Sequence, residues 1–139
     1  MKPSSPARIL LVDDAPELAS VLSGCLREDP CEIVPALDGP TALTMAEAER
    51  FDLILLDLGL PTMSGYEVLQ RLQADERLRA TPVIILTVQD DLPNKVRCFE
   101  AGATDFITKP FQLTELRARL KAALRNKQLQ DQIAKSNEE

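Results

Sequence analysis

Five polar side chains in this sequence have the right types to handle a phosphoryl group: Asp13, Asp14, Asp57, Thr87 and Lys109. Each is the first suitable polar group at the end of a short apolar run. Asp13 and Asp14 follow Ile9-Leu10-Leu11-Val12, and Asp57 follows Leu53-Ile54-Leu55-Leu56. Thr87 follows Val83-Ile84-Ile85-Leu86, and Lys109 follows Asp105-Phe106-Ile107-Thr108. Three carboxylates in one place repel one another unless a cation sits among them. Oxygen donors with no histidine beside them suit a hard ion such as Mg²⁺, which bridges to phosphate. A carboxylate beside Mg²⁺, a lysine and a hydroxyl is equipped to attack phosphorus and to hold the acyl phosphate that results.

The elements around these residues must bring them together. Continuous apolar runs without alternation are what strands covered on both faces look like, so the sequence predicts a parallel sheet. A further strand, Glu32-Ile33-Val34-Pro35-Ala36, contains a proline and belongs at an edge, since proline donates nothing to a ladder. Helical spacing fills the gaps. Residues 16–28 carry Leu18, Val21, Leu22, Cys25 and Leu26, and residues 40–49 carry Ala42, Leu43, Ala46 and Ala48. Residues 64–74 carry Tyr66, Val68, Leu69 and Leu72, and residues 93–101 carry Val96, Phe99 and Ala101. Pro93 suits a first helical turn and Gly102 a C-terminal cap. A last helix starts near Leu113 and reaches about Lys135. Strand and helix alternate five times, which predicts a doubly wound α/β domain. In such a sheet the C-terminal strand ends share one edge, where ligands bind.

In the last helix, Leu113, Leu116 and Leu120 form the stripe expected to dock on the sheet. Leu129 lies about 180° around from Leu120, so Leu129 and Ile133 face elsewhere. This far end reads either as a solvated tail or as a helix that pairs with a second copy or leads into another domain.

Composition removes other chemistries. The 139 residues hold no histidine, which excludes Ser-His-Asp and Cys-His nucleophiles and the usual zinc sites. Cys25, Cys31 and Cys98 are scattered and read as free thiols. No run reaches the roughly 18 apolar residues that span a bilayer. Residues 1–8 lack the apolar stretch of a signal peptide, so a cytoplasmic location is expected. Residues 1–112 carry a net −8 and residues 113–139 a net +2. A domain this acidic is a poor ligand for nucleic-acid backbone.

Taken with their spacing, the motifs I-L-L-V-D-D at 9–14, L-I-L-L-D-L-G-L-P-T-M-S-G at 53–65, P-V-I-I-L-T at 82–87 and G-A-T-D-F-I-T-K-P-F at 102–111 resemble the receiver domain of bacterial response regulators, the CheY-like fold. The resemblance implies five parallel strands in the order 2-1-3-4-5 with five helices. It implies Asp57 as the phosphoacceptor, and Mg²⁺ held by Asp13, Asp14, Asp57 and the backbone carbonyl of Gly59. It further implies Thr87 as a hydroxyl that moves onto the phosphoryl oxygens, Phe106 as an aromatic that turns inward with it, Lys109 as the phosphoryl-pairing lysine, and a cis Lys109–Pro110 bond. The phosphodonor would be a sensor histidine kinase or a phosphotransfer protein. The output would run through residues 90–112 to a partner or output domain. Gly65 reads as simple punctuation of a turn.

One position departs from the commonest pattern: Val88 stands where a smaller residue is usual, and its bulk would narrow access to the acyl phosphate. Gly59 and Gln89 occupy the positions that commonly tune phosphate lifetime. Two other classes compete. An Asp-nucleophile phosphatase of the haloacid dehalogenase type needs a second Asp two residues after the first, where this chain has Gly59. A receiver used only as a phosphorylation-independent interaction module would not need the complete polar set. The expected organisation is a flexible 1–7, a receiver over 8–125, and an extension of the last helix over 126–139. A homodimer through residues 113–137 is one use of that extension.

Overall fold

The computed structural model describes residues 7–25, 31–88 and 92–138. Leu26, Gln89 and nearly all of the expected flexible N-terminus lie outside these residues. The side chains of Cys25 and Ile133 lie outside them too.

Among the described residues ten elements alternate strictly: β1 (Ala7–Val12), α1 (Glu17–Cys25), β2 (Cys31–Ala36), α2 (Gly39–Ala48), β3 (Leu53–Leu56), α3 (Gly65–Ala74), β4 (Val83–Thr87), α4 (Leu92–Glu100), β5 (Asp105–Thr108) and α5 (Leu113–Glu138). The strands form one sheet in the order β2-β1-β3-β4-β5, with all neighbours parallel. Pro35 therefore lies on an edge strand, as its missing N–H requires.

The two faces of the sheet divide the apolar runs residue by residue, as strand pleating demands. Leu10, Val12, Ile54, Leu56, Ile85 and Phe106 point to the side of α2, α3 and α4. Ile9, Leu11, Leu53, Leu55, Ile84, Leu86 and Ile107 point to the side of α1 and α5. Most of these strand side chains are essentially inaccessible to water. Each such aliphatic side chain contributes about 1.5–3 kcal/mol, so the sheet is the rigid base of the molecule.

The helices depart from their sequence pattern in several places: Val21 of α1 and Ala48 of α2 are exposed. In α5, Leu116 and Leu120 are buried as expected, but Leu113 is 41% exposed. The helix begins there, at the rim of the sheet, and the packed stripe continues instead to Ala123. In α4, Val96 and Phe99 are exposed, and the buried side chain is Cys98. Helical spacing marked the helix but not the side that packs.

Helix α2 starts at an extended Asp38, whose Oδ1 accepts from the Thr41 amide at 2.8 Å. That backbone hydrogen bond holds the Asp38 carboxyl below its ordinary 3.8. A depressed folded pKa gives a contribution that is present above the ordinary value and is lost as the pH falls through the folded one. Asp38→Ala is therefore expected to lower the thermal midpoint at neutral pH. The gap to the wild type should close in melts below pH 3.8. A gap that persisted in acid would exclude the charged cap as its cause.

Candidate functional site

The carboxyl ends of β1, β3, β4 and β5 carry the predicted polar residues, and the backbone ladder extends one step beyond the strands to hold them. The Asp13 amide donates to the Ala36 carbonyl at 3.1 Å, and the Asp57 amide donates to the Val12 carbonyl at 2.9 Å. The Lys109 amide donates to the Thr87 carbonyl at 2.7 Å. Asp13, Asp57 and Lys109 are thus each the first residue after a strand and still tied to the neighbouring strand. Thr87 is the last residue of β4 and is fully buried.

One oxygen from each of Asp13, Asp14 and Asp57 lies within 4.8 Å of the other two. Asp13 and Asp57 are buried and Asp14 is exposed. At such separations two carboxylates repel by about 3–4 kcal/mol at the effective dielectric of a partly buried site. Lys109 offsets part of this. Its Nζ donates to Asp13 Oδ2 at 2.6 Å and lies 3.5 Å from Asp57 Oδ2. The other carboxylate oxygens take backbone donors: Asp13 Oδ1 accepts from the Ala15 amide and Asp57 Oδ1 from the Gly59 amide. Burial acts to lower the Lys109 pKa, but the hydrogen bond to Asp13 and the charges of Asp57 and Asp13 outweigh it and raise it above 10.5. A raised folded pKa keeps this contribution whole at neutral pH and loses it only as the pH rises through that value.

The loop from Asp57 to α3 is tightly built. Leu58 is buried and anchors it, and Thr62 takes a positive φ of 71°. The Gly65 amide donates to the Leu58 carbonyl at 3.0 Å. A Cβ on Gly65 would lie 2.1 Å from the Asp57 carbonyl oxygen. Gly65 is therefore more than turn punctuation, because its bare Cα lets α3 approach the backbone that carries Asp57. Gly59 is different: a Cβ there would meet only Asp57 Oδ1, at 3.9 Å.

The Lys109–Pro110 bond is cis, as the resemblance implies. Phe106 stands apart from the polar cluster. It is buried on the α2–α4 side of the sheet, with Lys95 Nζ 5.5 Å from its ring centre. Val88 is 71% exposed beside Thr87. A groove of about 320 Å³ lined by Ala15, Leu18, Val21, Pro110 and Phe111 adjoins Lys109. A larger cleft, of about 530 Å³, is lined by Phe51, Ile54 and Leu78 near the opposite end of the sheet and includes none of the cluster.

Two contacts had no signal in the sequence. Arg97 of α4 stacks on Tyr66 of α3, with its guanidinium carbon 3.6 Å from the ring centre. Lys95 covers Phe106. Arg97 and Tyr66 are far apart in the chain, Lys95 and Phe106 lie on successive elements, and in neither case does the residue type predict the pairing.

This sheet order, with an acidic cluster and a lysine at its carboxyl edge, defines the CheY-like receiver fold. A CheY-like receiver domain protein of Methanospirillum hungatei superposes with a TM-score of 0.83 at 29% identity, over 91% of this chain and 99% of that one. The chain belongs to the response regulator receiver domain family, whose sequence profile matches residues 9–121. The DNA-binding dual master transcriptional regulator RpaA of Synechocystis is 39% identical over 131 residues, which is 94% of this chain and 54% of that protein. Response regulator PleD of Caulobacter vibrioides is 39% identical over 127 residues, 91% of this chain and 28% of that protein. The chain thus spans about half or less of the length of these curated relatives. No helix among the described residues is long and apolar enough to cross a membrane.

Proposed function

We propose that this receiver domain accepts a phosphoryl group on Asp57 and passes the change to a partner through residues 90–112. The observation that carries the reading is the grouping of Asp13, Asp14 and Asp57, with Lys109 paired to Asp13 and Asp57, at the end of a rigid sheet. An Asp57 carboxylate oxygen attacks phosphorus of a phosphohistidine on a sensor kinase or phosphotransfer protein. The P–N bond breaks, and the imidazole leaves with its electron pair and takes up a proton. The Lys109 ammonium pairs with the new phosphoryl oxygens, and the Thr87 hydroxyl donates to them. Three all-oxygen donors within 4.8 Å fit Mg²⁺, which Asp13, Asp14, Asp57 and the Gly59 carbonyl would hold. Bound there, Mg²⁺ supplies positive charge against the carboxylates and the phosphoryl oxygens.

Phosphorylation adds about −1.5 to −2 charge and three acceptor oxygens. Thr87 moving onto these oxygens would change the space beside Phe106, which is already buried on the strand that neighbours Thr87 in the sheet. The groove beside Lys109 offers the phosphodonor an apolar seat close to the reacting carboxylate. Residues 8–125 act as the switch. Residues 126–139 extend the last helix toward a second copy or a further domain. The DNA binding in the name of the Synechocystis relative belongs to a protein of which this chain covers 54%. For the residues here, the net −8 over 1–112 argues against direct contact with nucleic acid.

The test is intact mass after incubation with acetyl phosphate and Mg²⁺. One added phosphoryl group is expected, absent without Mg²⁺ and absent in Asp57→Asn. No adduct on the wild type with acetyl phosphate or with a phosphohistidine donor would favour a phosphorylation-independent interaction module.

A further inference from the structure

Helix α4 is weakly seated by apolar contacts. Of its nine residues only Cys98 is buried, while Leu92, Val96 and Phe99 are 71%, 44% and 47% exposed. A surface helix normally buries a full apolar stripe, two or three large side chains over this length. Something else must therefore fix where α4 lies. The two cation–ring contacts of α4 are placed to do so. Arg97 lies over the Tyr66 ring, reaching across to α3, and Lys95 lies over Phe106, reaching down to β5. At 3.6 Å the Arg97 contact is at stacking distance, whereas Lys95 stands off at 5.5 Å. Tyr66 is itself fixed from below, since α3 buries Val68, Leu69 and Leu72 and rests on Gly65.

We propose that Arg97, stacked on Tyr66, is the positioning residue that seats α4 against α3, and that this seating keeps Lys95 over the inward-packed Phe106. The firmly packed α3 provides the anchor, and the stack transmits its position to a helix with little apolar hold of its own. Loss of the stack lets α4 lift, which uncovers Phe106 and opens Cys98 together. The inference does not depend on phosphorylation of Asp57, and its test uses no phosphodonor.

Cys98 reports the seating. Its thiol is buried beneath α4, and burial raises its pKa, so it reacts only when the helix lifts. In the 139-residue chain carrying Cys25→Ser and Cys31→Ser, a disulfide reagent should label Cys98 slowly. Arg97→Gln is expected to raise the labelling rate about fivefold, the upper end for a cation–π contact at an exposed site. Tyr66→Leu should do the same, and the double variant should label no faster than either single. Arg97→Lys and Tyr66→Phe, which keep a cation and a ring, should stay within about twofold of the parent. Urea midpoints separate lifting of α4 from global unfolding. A parent-like rate in Arg97→Gln, or multiplying effects in the double variant, would overturn the proposal. So would a rate increase matched by an equal loss of global stability.

Discussion

Gly65→Ala is expected to destabilise the domain by about 3 kcal/mol or more and to cut phosphoryl uptake by about two orders of magnitude. The added Cβ would stand 2.1 Å from the Asp57 carbonyl oxygen, 2.6 Å from the Leu58 Cα and 2.8 Å from the Asp57 carbonyl carbon. All three are backbone atoms, so no side-chain rotation relieves the overlap. Either α3 withdraws from the sheet edge or the segment carrying Asp57 shifts toward Lys109. The first weakens the packing of Val68, Leu69 and Leu72, and the second misplaces the carboxylate proposed to take the phosphoryl group. Gly59→Ala is the matched control. Its Cβ has 3.9 Å of clearance from Asp57 Oδ1, so its urea midpoint should stay close to the wild type. Equal midpoints for Gly65→Ala and Gly59→Ala would show that the close approach at Gly65 is not needed.

Removing the ammonium at Lys109 should produce the second large effect. In Lys109→Ala, Asp13, almost wholly buried, loses its partner at 2.6 Å, and the three carboxylates face one another without the cation. Breaking one side of a buried ion pair costs about 3–5 kcal/mol. Partial access of water to Lys109 and Asp57 reduces this to about 2–3 kcal/mol. The variant should therefore unfold at lower urea in EDTA. Added Mg²⁺ should stabilise it more than it stabilises the wild type, because the ion then meets carboxylates that no lysine neutralises. Equal gains from Mg²⁺ in the two proteins would show that Lys109 and the ion do not share one electrostatic role.

Much of this architecture was legible because its signals are local. The runs at 9–12, 53–56 and 83–86 are apolar without alternation, and both faces of the sheet proved to be covered. Pro35 placed β2 at an edge through one missing donor. Asp13, Asp57, Thr87 and Lys109 could be grouped because each ends a strand, and parallel strands share their carboxyl edge. Contacts that depend on how elements lean on one another were not legible. Val96 and Phe99 carry the helical period of α4, yet Cys98 is the residue that packs. Leu113 keeps the period of α5 but starts beyond the sheet. Lys109 sits closer to Asp13 than to Asp57, a matter of side-chain reach that no spacing encodes. Gly65 announced a turn, but the backbone lying against it became visible only in three dimensions.

The edge position of β2 also bears on association with other chains. The Ala36 carbonyl accepts from the Asp13 amide, so the backbone groups of Ala36 face β1. Along a strand these groups alternate sides, and those of Pro35 therefore face the open rim. The missing N–H thus falls where an incoming strand would need a donor, and Glu32 adds a charge to the same short segment. The opposite rim, β5, has only four residues. Proline, charge and brevity are the means by which native sheets resist edge-to-edge growth into aggregates. A protein that presents residues to partners on its surface can in this way keep its sheet from recruiting copies of itself by strand addition.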